Sequence, residues 1–502
     1  MTVVTPGEPA GAAPADPAVG RPPLPEGFLF GVATAGFQVE GGFNGPGQPA
    51  NNWLAGEQVG RVEPSGDAVG FWEHPDESLD RAAALGCDSF RLGVEWARVL
   101  PDARGVDRDA LDRYLAIAEG CLARGMAPLV TLHHFTHPAW LGEDLWLRPD
   151  APARFAAYAR VVVSTLAPVV RHWVTVNEVN ALALQTYVLG TFPPGRPLGF
   201  ADAAIALDNL LTAHVFGYDA VHDERPDAVV TTNNACLTVY EYDRMLVDLL
   251  LARGHGIERG DLDGWIAERR RGHYALLPTP GAGESLLRRT SARLSPFGAT
   301  GRGPRAPRRL LDALEASPHP RTLDALGIDY YDPQAARHIR LPGHRTAGGR
   351  NPRPTRELWD DPPDPGGLAR WLGVQHALAP GLPLWVVENG MCNRVRDGRS
   401  YGRLDGWDRP RYLREHLAAV VSAVDAGVPV EGYWHWSLVD NYEWGSYQPR
   451  FGIHGVDRDR GRRGGTWLET DAMGRDAAGE YRRLIAGIRS GDRSVLAPGW
   501  TP

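Results

Sequence analysis

Short apolar runs, several of them rich in Val or Thr, recur along the chain at 29–37, 89–96, 127–134, 172–178, 228–237, 325–331, 384–389 and 430–438. Runs of that length and composition read as strands covered on both faces. Between them lie longer segments, among them 76–86, 110–124, 153–170, 201–224 and 411–426, in which apolar residues return every three or four positions. That spacing predicts amphipathic helices. Strand and helix alternate through nearly the whole chain, the signature of repeated βα units on a parallel sheet. Eight strands close such a sheet on itself, so the pattern predicts an α/β fold, a single (β/α)8 barrel of the TIM type. Residues 240–320 are polar, Arg-rich and broken by Gly and Pro, and read as an inserted excursion between the fifth and sixth strands. A doubly wound open sheet is the structural alternative, but G-V-A-T-A-G in the first run lacks the G-x-G-x-x-G spacing of a dinucleotide fold.

Length narrows this little, since 502 residues suit either two average domains or one large barrel. No short-period repeat and no second domain is evident, so 25–490 is expected to form the barrel. A Pro/Ala-rich disordered tail is expected at 1–24 and a C-terminal tail at 491–502. The first two dozen residues lack both the basic start and the continuous apolar stretch of a signal peptide. No apolar run approaches the roughly 18 residues that span a bilayer. Cys87, Cys121, Cys236 and Cys392 are widely spaced, with no C-x-x-C pair, and read as reduced, buried thiols. A cytoplasmic protein is therefore expected, with no membrane partner. The formal charge of -8 leaves no basic footprint for nucleic acid. Every basic residue other than His is Arg, because the chain contains no Lys. Schiff-base lysine chemistry, a pyridoxal phosphate linkage and a Walker A loop are thereby excluded.

In a barrel of this kind the carboxyl ends of the strands face one shared pocket. The first strand leads to Gln38 and Glu40, the second carries Arg91, the third ends in His133 and His134, and the fourth in Asn177 and Glu178. The sixth ends in Asp329, Tyr330 and Tyr331 and the seventh in Glu388 and Asn389. The eighth leads to Trp436, Asp440, Asn441, Glu443 and Trp444. Carboxylates, amides and aromatic rings converge, which suits sugars: acceptors for hydroxyls, flat apolar faces for rings, and paired acids for the glycosidic bond. Taken singly, each glutamate reads equally well as a surface loop acid, and each Arg, Tyr or Trp as a structural partner or core residue.

The combination is more specific. F-L-F-G-V-A-T-A-G-F-Q-V-E-G at 28–41, V-T-V-N-E at 174–178, V-V-E-N-G at 386–390, and W-S-L-V-D-N-Y-E-W at 436–444 followed by R-F-G at 450–452 occur in this order at the expected strand ends. From 28 to about 484 the chain resembles glycoside hydrolase family 1, the retaining β-glucosidases and β-galactosidases. The resemblance implies a retaining β-glycosidase acting on a small-molecule glycoside, with no cofactor and no metal. It implies Glu388 as nucleophile and Glu178 as general acid/base. Arg91 and Tyr331 are then expected to hold Glu388 ionised, and Asn177 to bond the sugar 2-hydroxyl. Gln38, His134, Glu443 and Trp444 resemble the family's contacts to the remaining hydroxyls, and Trp436 the platform beneath the ring.

The chain also departs from the family pattern. Val179 follows Glu178 where the family usually has Pro, Phe135 follows His134 where it has Trp, and Asp329 stands where it has Asn. The excursion at 240–320 lacks the family's G-x-Y-P segment, which leaves the leaving-group side open. Glu443 and the absence of Lys favour an unphosphorylated sugar over the phosphorylated one that some members of the family take. Three other readings stay open: a transglycosidase or natural-product tailoring enzyme using the same intermediate, a non-catalytic sugar-binding barrel, and a metal-dependent hydrolase built on His133, His134 and His137. The sequence leaves the sugar, the aglycone and the oligomeric state open.

Overall fold

The computed structural model describes residues 24–278, 295–297, 306–331, 345–346, 349–350, 363–396, 399–458 and 464–497. The expected N-terminal tail up to residue 23, parts of the excursion and the last five residues lie outside the described residues. Within the stretch expected as a C-terminal tail, Arg493–Leu496 forms a 3-10 turn with Val495 buried.

Nine parallel strands make one sheet: β1 (Leu29–Ala33), β2 (Ser89–Gly93), β3 (Ala127–His133), β4 (His172–Val176), β5 (Val229–Thr231), β6 (Asn233–Ala235), β7 (Leu326–Tyr330), β8 (Leu384–Asn389) and β9 (Val430–Trp436). Their order in the sheet is β5-β4-β3-β2-β1-β9-β8-β7-β6. The two ends of that order are consecutive pieces of chain. The expected fifth strand breaks at Thr232, so that β5 bonds back to β4 while β6 bonds forward to β7. Thr232 spans the break by donating its hydroxyl to the Val176 carbonyl. Counted as staves, β5 and β6 are one, and the sheet is the eight-membered barrel that the alternation predicts.

Three runs end earlier than their apolar character suggests. The first stops at Ala33 and turns into a short helix, Gly36–Val39, where the Phe37 amide donates to Glu95. A side chain at Gly36 would meet the Glu95 side chain at 2.6 Å, so glycine is required at the turn. The second stops at Gly93 ahead of the helix Trp96–Val99, and the eighth at Trp436. In each case buried apolar residues continue past the strand because the loops at this rim are themselves packed.

The outer ring is formed by Pro75–Ala84, Arg108–Ala123, Ala151–Leu166, Phe200–Glu224, Pro365–Leu378, Arg409–Asp425 and Ala477–Ser490. Four of these start on an aspartate whose carboxylate accepts a first-turn amide: Asp107, Asp364, Asp408 and Asp476. The excursion does lie between β6 and β7, and its described part is helical at Arg244–Leu251, Leu262–Leu276 and Arg308–Ala316. Inside the barrel, Leu129, Val174, Trp385, Val387 and Trp434 pack as a cluster separate from the core beneath the helices. The Trp385 and Trp434 indoles lie 5.6 Å apart, and room for Trp434 exists only because Gly31 has no side chain, a Cβ there meeting the indole at 2.3 Å. Among the described residues no helix is long and apolar enough to cross a membrane.

Candidate active site

The residues singled out from the sequence lie in or just after strands on one rim. Arg91 sits within β2, Asn177 and Glu178 directly follow β4, Tyr331 follows β7, Glu388 is in β8 and Trp436 closes β9. Val387 is an extra residue in β8: Val386 is level with Ile328, and Glu388 is already level with Asp329. Such a bulge interrupts the alternation of faces and re-aims a side chain. Glu178 has φ +41, a left-handed conformation that a glutamate seldom takes, where β4 gives way to the helix Val179–Ala183. Backbone held in that region is a local cost characteristic of functional sites.

One oxygen each from Glu178, Glu388 and Asp329 lie within 4.8 Å of one another, and all three residues are buried. Glu388 is held from both sides, by Arg91 Nη1 at 2.5 Å on Oε1 and by the Tyr331 hydroxyl at 2.6 Å on Oε2. Arg91 is itself fixed by Thr131 Oγ1, the Val387 carbonyl and Asn177 Oδ1. Burial, and next the charge of Glu388, push the Glu178 carboxyl up to about 8, against the opposing pull of Arg91. Burial, then Glu388 and Glu178, hold the Asp329 carboxyl well above the usual range. Two carboxyls beside a third that is committed to a guanidinium therefore keep protons.

Around this centre, His134 lies nearly parallel to the indoles of both Trp436 and Trp444, at 5.7 and 5.6 Å between centroids. Asn177 Nδ2 lies 3.3 Å from His134 Nε2, so the amide donates and the proton of the imidazole sits on Nδ1. Burial and Arg91 hold His134 well below the usual histidine range, so the ring is neutral. Gln38 donates to Asn441 at 3.1 Å, and the Trp436 indole N–H donates to Glu443 at 3.3 Å. Burial pushes Glu443 up to about 8. His134 Nδ1 and Gln38 Oε1 are buried without a protein partner, although buried polar atoms in folded proteins are nearly always matched. A polyhydroxylated ligand supplies matches of this kind.

The structure thus brings Arg91, Asn177, Glu178, Tyr331 and Glu388 together, with Gln38, His134, Trp436, Glu443 and Trp444 around them. It does not gather His133, His134 and His137: His133 is wedged edge-on against Trp146, and His137 is bonded to the Gly142 carbonyl. Asn233 was not among the expected residues, yet its side-chain amide reaches both Asn177 Oδ1, at 2.7 Å, and Asp329 Oδ2. Its signal was a pair of amides, Asn233 and Asn234, inside a strand otherwise of apolar residues and Thr.

Fold and mouth together define a class, the glycoside hydrolases that work with two acids at the rim of a (β/α)8 barrel. The profile of glycosyl hydrolase family 1 matches residues 21–467, and the chain belongs to that family. A bifunctional β-D-glucosidase/β-D-fucosidase of Bifidobacterium breve is 30% identical over 506 residues, covering 92% of this chain and 98% of the relative. A 6-phospho-β-galactosidase of Streptococcus pneumoniae serotype 4 is 27% identical over 466 residues, covering 88% and 95%. Among solved structures, a β-glycosidase from Pyrococcus horikoshii superposes with a TM-score of 0.66 at 23% identity, over 96% of this chain and 98% of that one.

Proposed function

We propose that the chain is a retaining β-glycosidase of the β-glucosidase type, cleaving a terminal, unphosphorylated β-linked hexose from an aglycone or short saccharide. The observation that carries this is the approach of Glu178 and Glu388 to within 4.8 Å. Retaining enzymes keep their two carboxyls about 5–5.5 Å apart, whereas inverting ones leave about 6.5–9.5 Å for a water. Glu388, held between Arg91 and Tyr331, attacks the anomeric carbon. The bond from that carbon to the leaving oxygen breaks, and Glu178 passes its proton to that oxygen. Water then enters, Glu178 takes a proton from it, and the ester to Glu388 is released with the original configuration restored. Glu178 suits both roles. The charge of Glu388 helps keep it protonated in the first step, and that charge is gone once Glu388 is esterified.

The remaining residues serve recognition. Asn177, fixed by Arg91, Asn233 and His134, meets the 2-hydroxyl; the Nδ1–H of His134 donates to a further hydroxyl; Gln38 and Glu443 take those beyond it; Trp436 and Trp444 flank the ring. The unphosphorylated sugar is supported by Glu443, a carboxyl where a phosphate would need cations, and by a chain with no Lys. Four buried cysteines that form no disulfide support a cytoplasmic location. Glu388→Gly should lower turnover of an aryl β-glucoside on the order of 10^4-fold, and added azide should restore it as an α-configured glycosyl azide. An undiminished rate in that variant contradicts the assignment. Wild-type turnover of a 6-phospho-β-galactoside in preference to its unphosphorylated counterpart contradicts the choice of sugar.

A further inference from the structure

Of the three clustered acids Glu178, Asp329 and Glu388, Asp329 is the one that double displacement, as set out above, does not use. It occupies β7 level with Glu388 on β8 and is fully buried. Among the described residues, the ionisable groups that face it are Glu178 at the end of β4, Glu388 on β8 and Arg91 on β2, with Tyr331 two positions along its own chain. Neutral Asn233 on β6 donates to Oδ2. Three carboxyls therefore confront one guanidinium, and that guanidinium is committed to Glu388, Val387, Asn177 and Thr131. A second or third negative charge there has no cation to offset it.

Oδ1 of Asp329 is buried and accepts from no neighbour, and the Asp329 carboxyl is hydrogen-bonded to the carboxyl of Glu178, one oxygen of each lying within 4.8 Å of the other. Two carboxylates cannot satisfy each other, so the hydrogen between them belongs to the pair itself. We infer that Asp329 works as an un-ionised carboxylic acid that donates its proton in a hydrogen bond to Glu178, which makes it a positioning residue for the acid/base. The inference rests on the glycosidase reading and deepens it. When Glu178 gives its proton to the leaving oxygen, the new carboxylate is met by the Asp329 O–H. The Asp329 proton stays on Asp329 throughout, and Tyr331 and Arg91 continue to serve Glu388. Asp329 thus does the work of an amide N–H with an acid, and the acid's neutrality is maintained by the charge beside it.

The experiment has a spectroscopic and a kinetic arm, both on the full chain. In the infrared difference between wild type and Asp329→Asn at neutral pH, one protonated-carboxyl carbonyl band should be lost and no carboxylate band. Loss of carboxylate bands overturns the inference. Asp329→Asn, which keeps a donor, should hold kcat/KM for an unactivated aryl β-glucoside within about threefold, with the alkaline limb of its pH profile in place. Asp329→Leu should lose about 10- to 100-fold on that substrate, as expected for a hydrogen bond to a charged group. It should lose much less on an activated leaving group, and its alkaline limb should move to higher pH. A fall of the alkaline limb by a unit or more in Asp329→Asn, as removal of a neighbouring negative charge produces, also overturns the inference. The infrared arm needs no substrate. A chain inert toward every β-glycoside but with the protonated band present sinks the glycosidase reading and leaves the proton assignment standing.

Discussion

Two groups of buried acids sit beyond the strand ends of this barrel, and their contrast separates structure from chemistry. In the first, Glu40 and Glu95 follow β1 and β2. Glu40 accepts from Tyr114 and, at 2.6 Å, from Arg98; Glu95 accepts from the Phe37 amide and the Thr136 hydroxyl. The Arg98 guanidinium is sandwiched between Phe43 and Trp72, 4.1 and 4.0 Å from the ring centres. Every carboxyl oxygen there has its donor. In the second group, Glu178, Asp329 and Glu388, only Glu388 is saturated, and the Oδ1 of Asp329 has no donor from another residue type. Burial pushes both Glu95 and Glu178 up to about 8. The shift is the same while the roles differ, so a displaced pKa marks burial and does not by itself mark the reacting group.

The contrast breaks most visibly at Glu178. Glu178→Ala should slow glycosides with poor leaving groups by roughly 10²–10⁴-fold and activated aryl glycosides far less, because only the former need a proton. Equal losses on both would put Glu178 with the structural acids. In wild type, Glu178 must be protonated in the free enzyme, so kcat/KM should persist below about pH 8 and fall as pH rises through that value. In the saturated group the expected damage is to stability. Arg98→Met strands Glu40 and should cost roughly 3–5 kcal/mol in denaturant unfolding, with kcat of the folded protein nearly unchanged. A large loss of kcat in still-folded protein would erase the distinction between the two groups.

Glu95→Gln is the gentler probe. The carboxyl is neutral below about pH 8, and the amide keeps the acceptor for the Phe37 N–H while its NH2 donates to the Thr136 hydroxyl, which turns from donor to acceptor, so stability at pH 6.5 should change by less than about 1 kcal/mol. Its signature is pH dependence. Glu95, Glu178 and Glu443, each pushed up to about 8, and Asp243, pushed up to about 7, keep in the folded state protons that the unfolded chain gives up at much lower pH. That stability is present at low pH and is lost as pH rises toward 8. Burial lowers His133 to about 3 and His137, His172 and His214 to about 4, and their contribution is lost as pH falls below 6.5. The two trends oppose each other below pH 6.5 and leave the carboxyls alone above it. Tm should fall from pH 6.5 to 8.5, and fall less steeply in Glu95→Gln; a flat or rising Tm in wild type would contradict this account.

Much of the site is legible in the sequence because catalytic residues of a barrel cluster at strand ends, and strand ends show as breaks in apolar runs. Glu178 and Glu388 stand out that way, whereas the roles of Arg91 and Tyr331 come from the resemblance to the family. What escapes is contact across the closed sheet. Asn233 reaches Asn177 and Asp329, 56 and 96 residues away, only because the fifth stave breaks at Thr232 and closes the barrel with its second half. The tie from Glu95 to Phe37 and Thr136 is likewise invisible along the chain, and it explains why the first strand stops at Ala33 instead of running to 37. Asp329 stood out as a departure from the family pattern, but its relation to Glu178 emerges only from three-dimensional packing.

The account turns on Glu388 forming a bond to the sugar. A 2-deoxy-2-fluoro β-glucoside with an activated leaving group slows release of the glycosyl-enzyme, so incubation followed by proteolysis and mass spectrometry should recover one labelled peptide, with the sugar on Glu388. A label on Glu178 or Asp329, or steady turnover of ordinary β-glucosides with no covalent adduct at any residue, would contradict it.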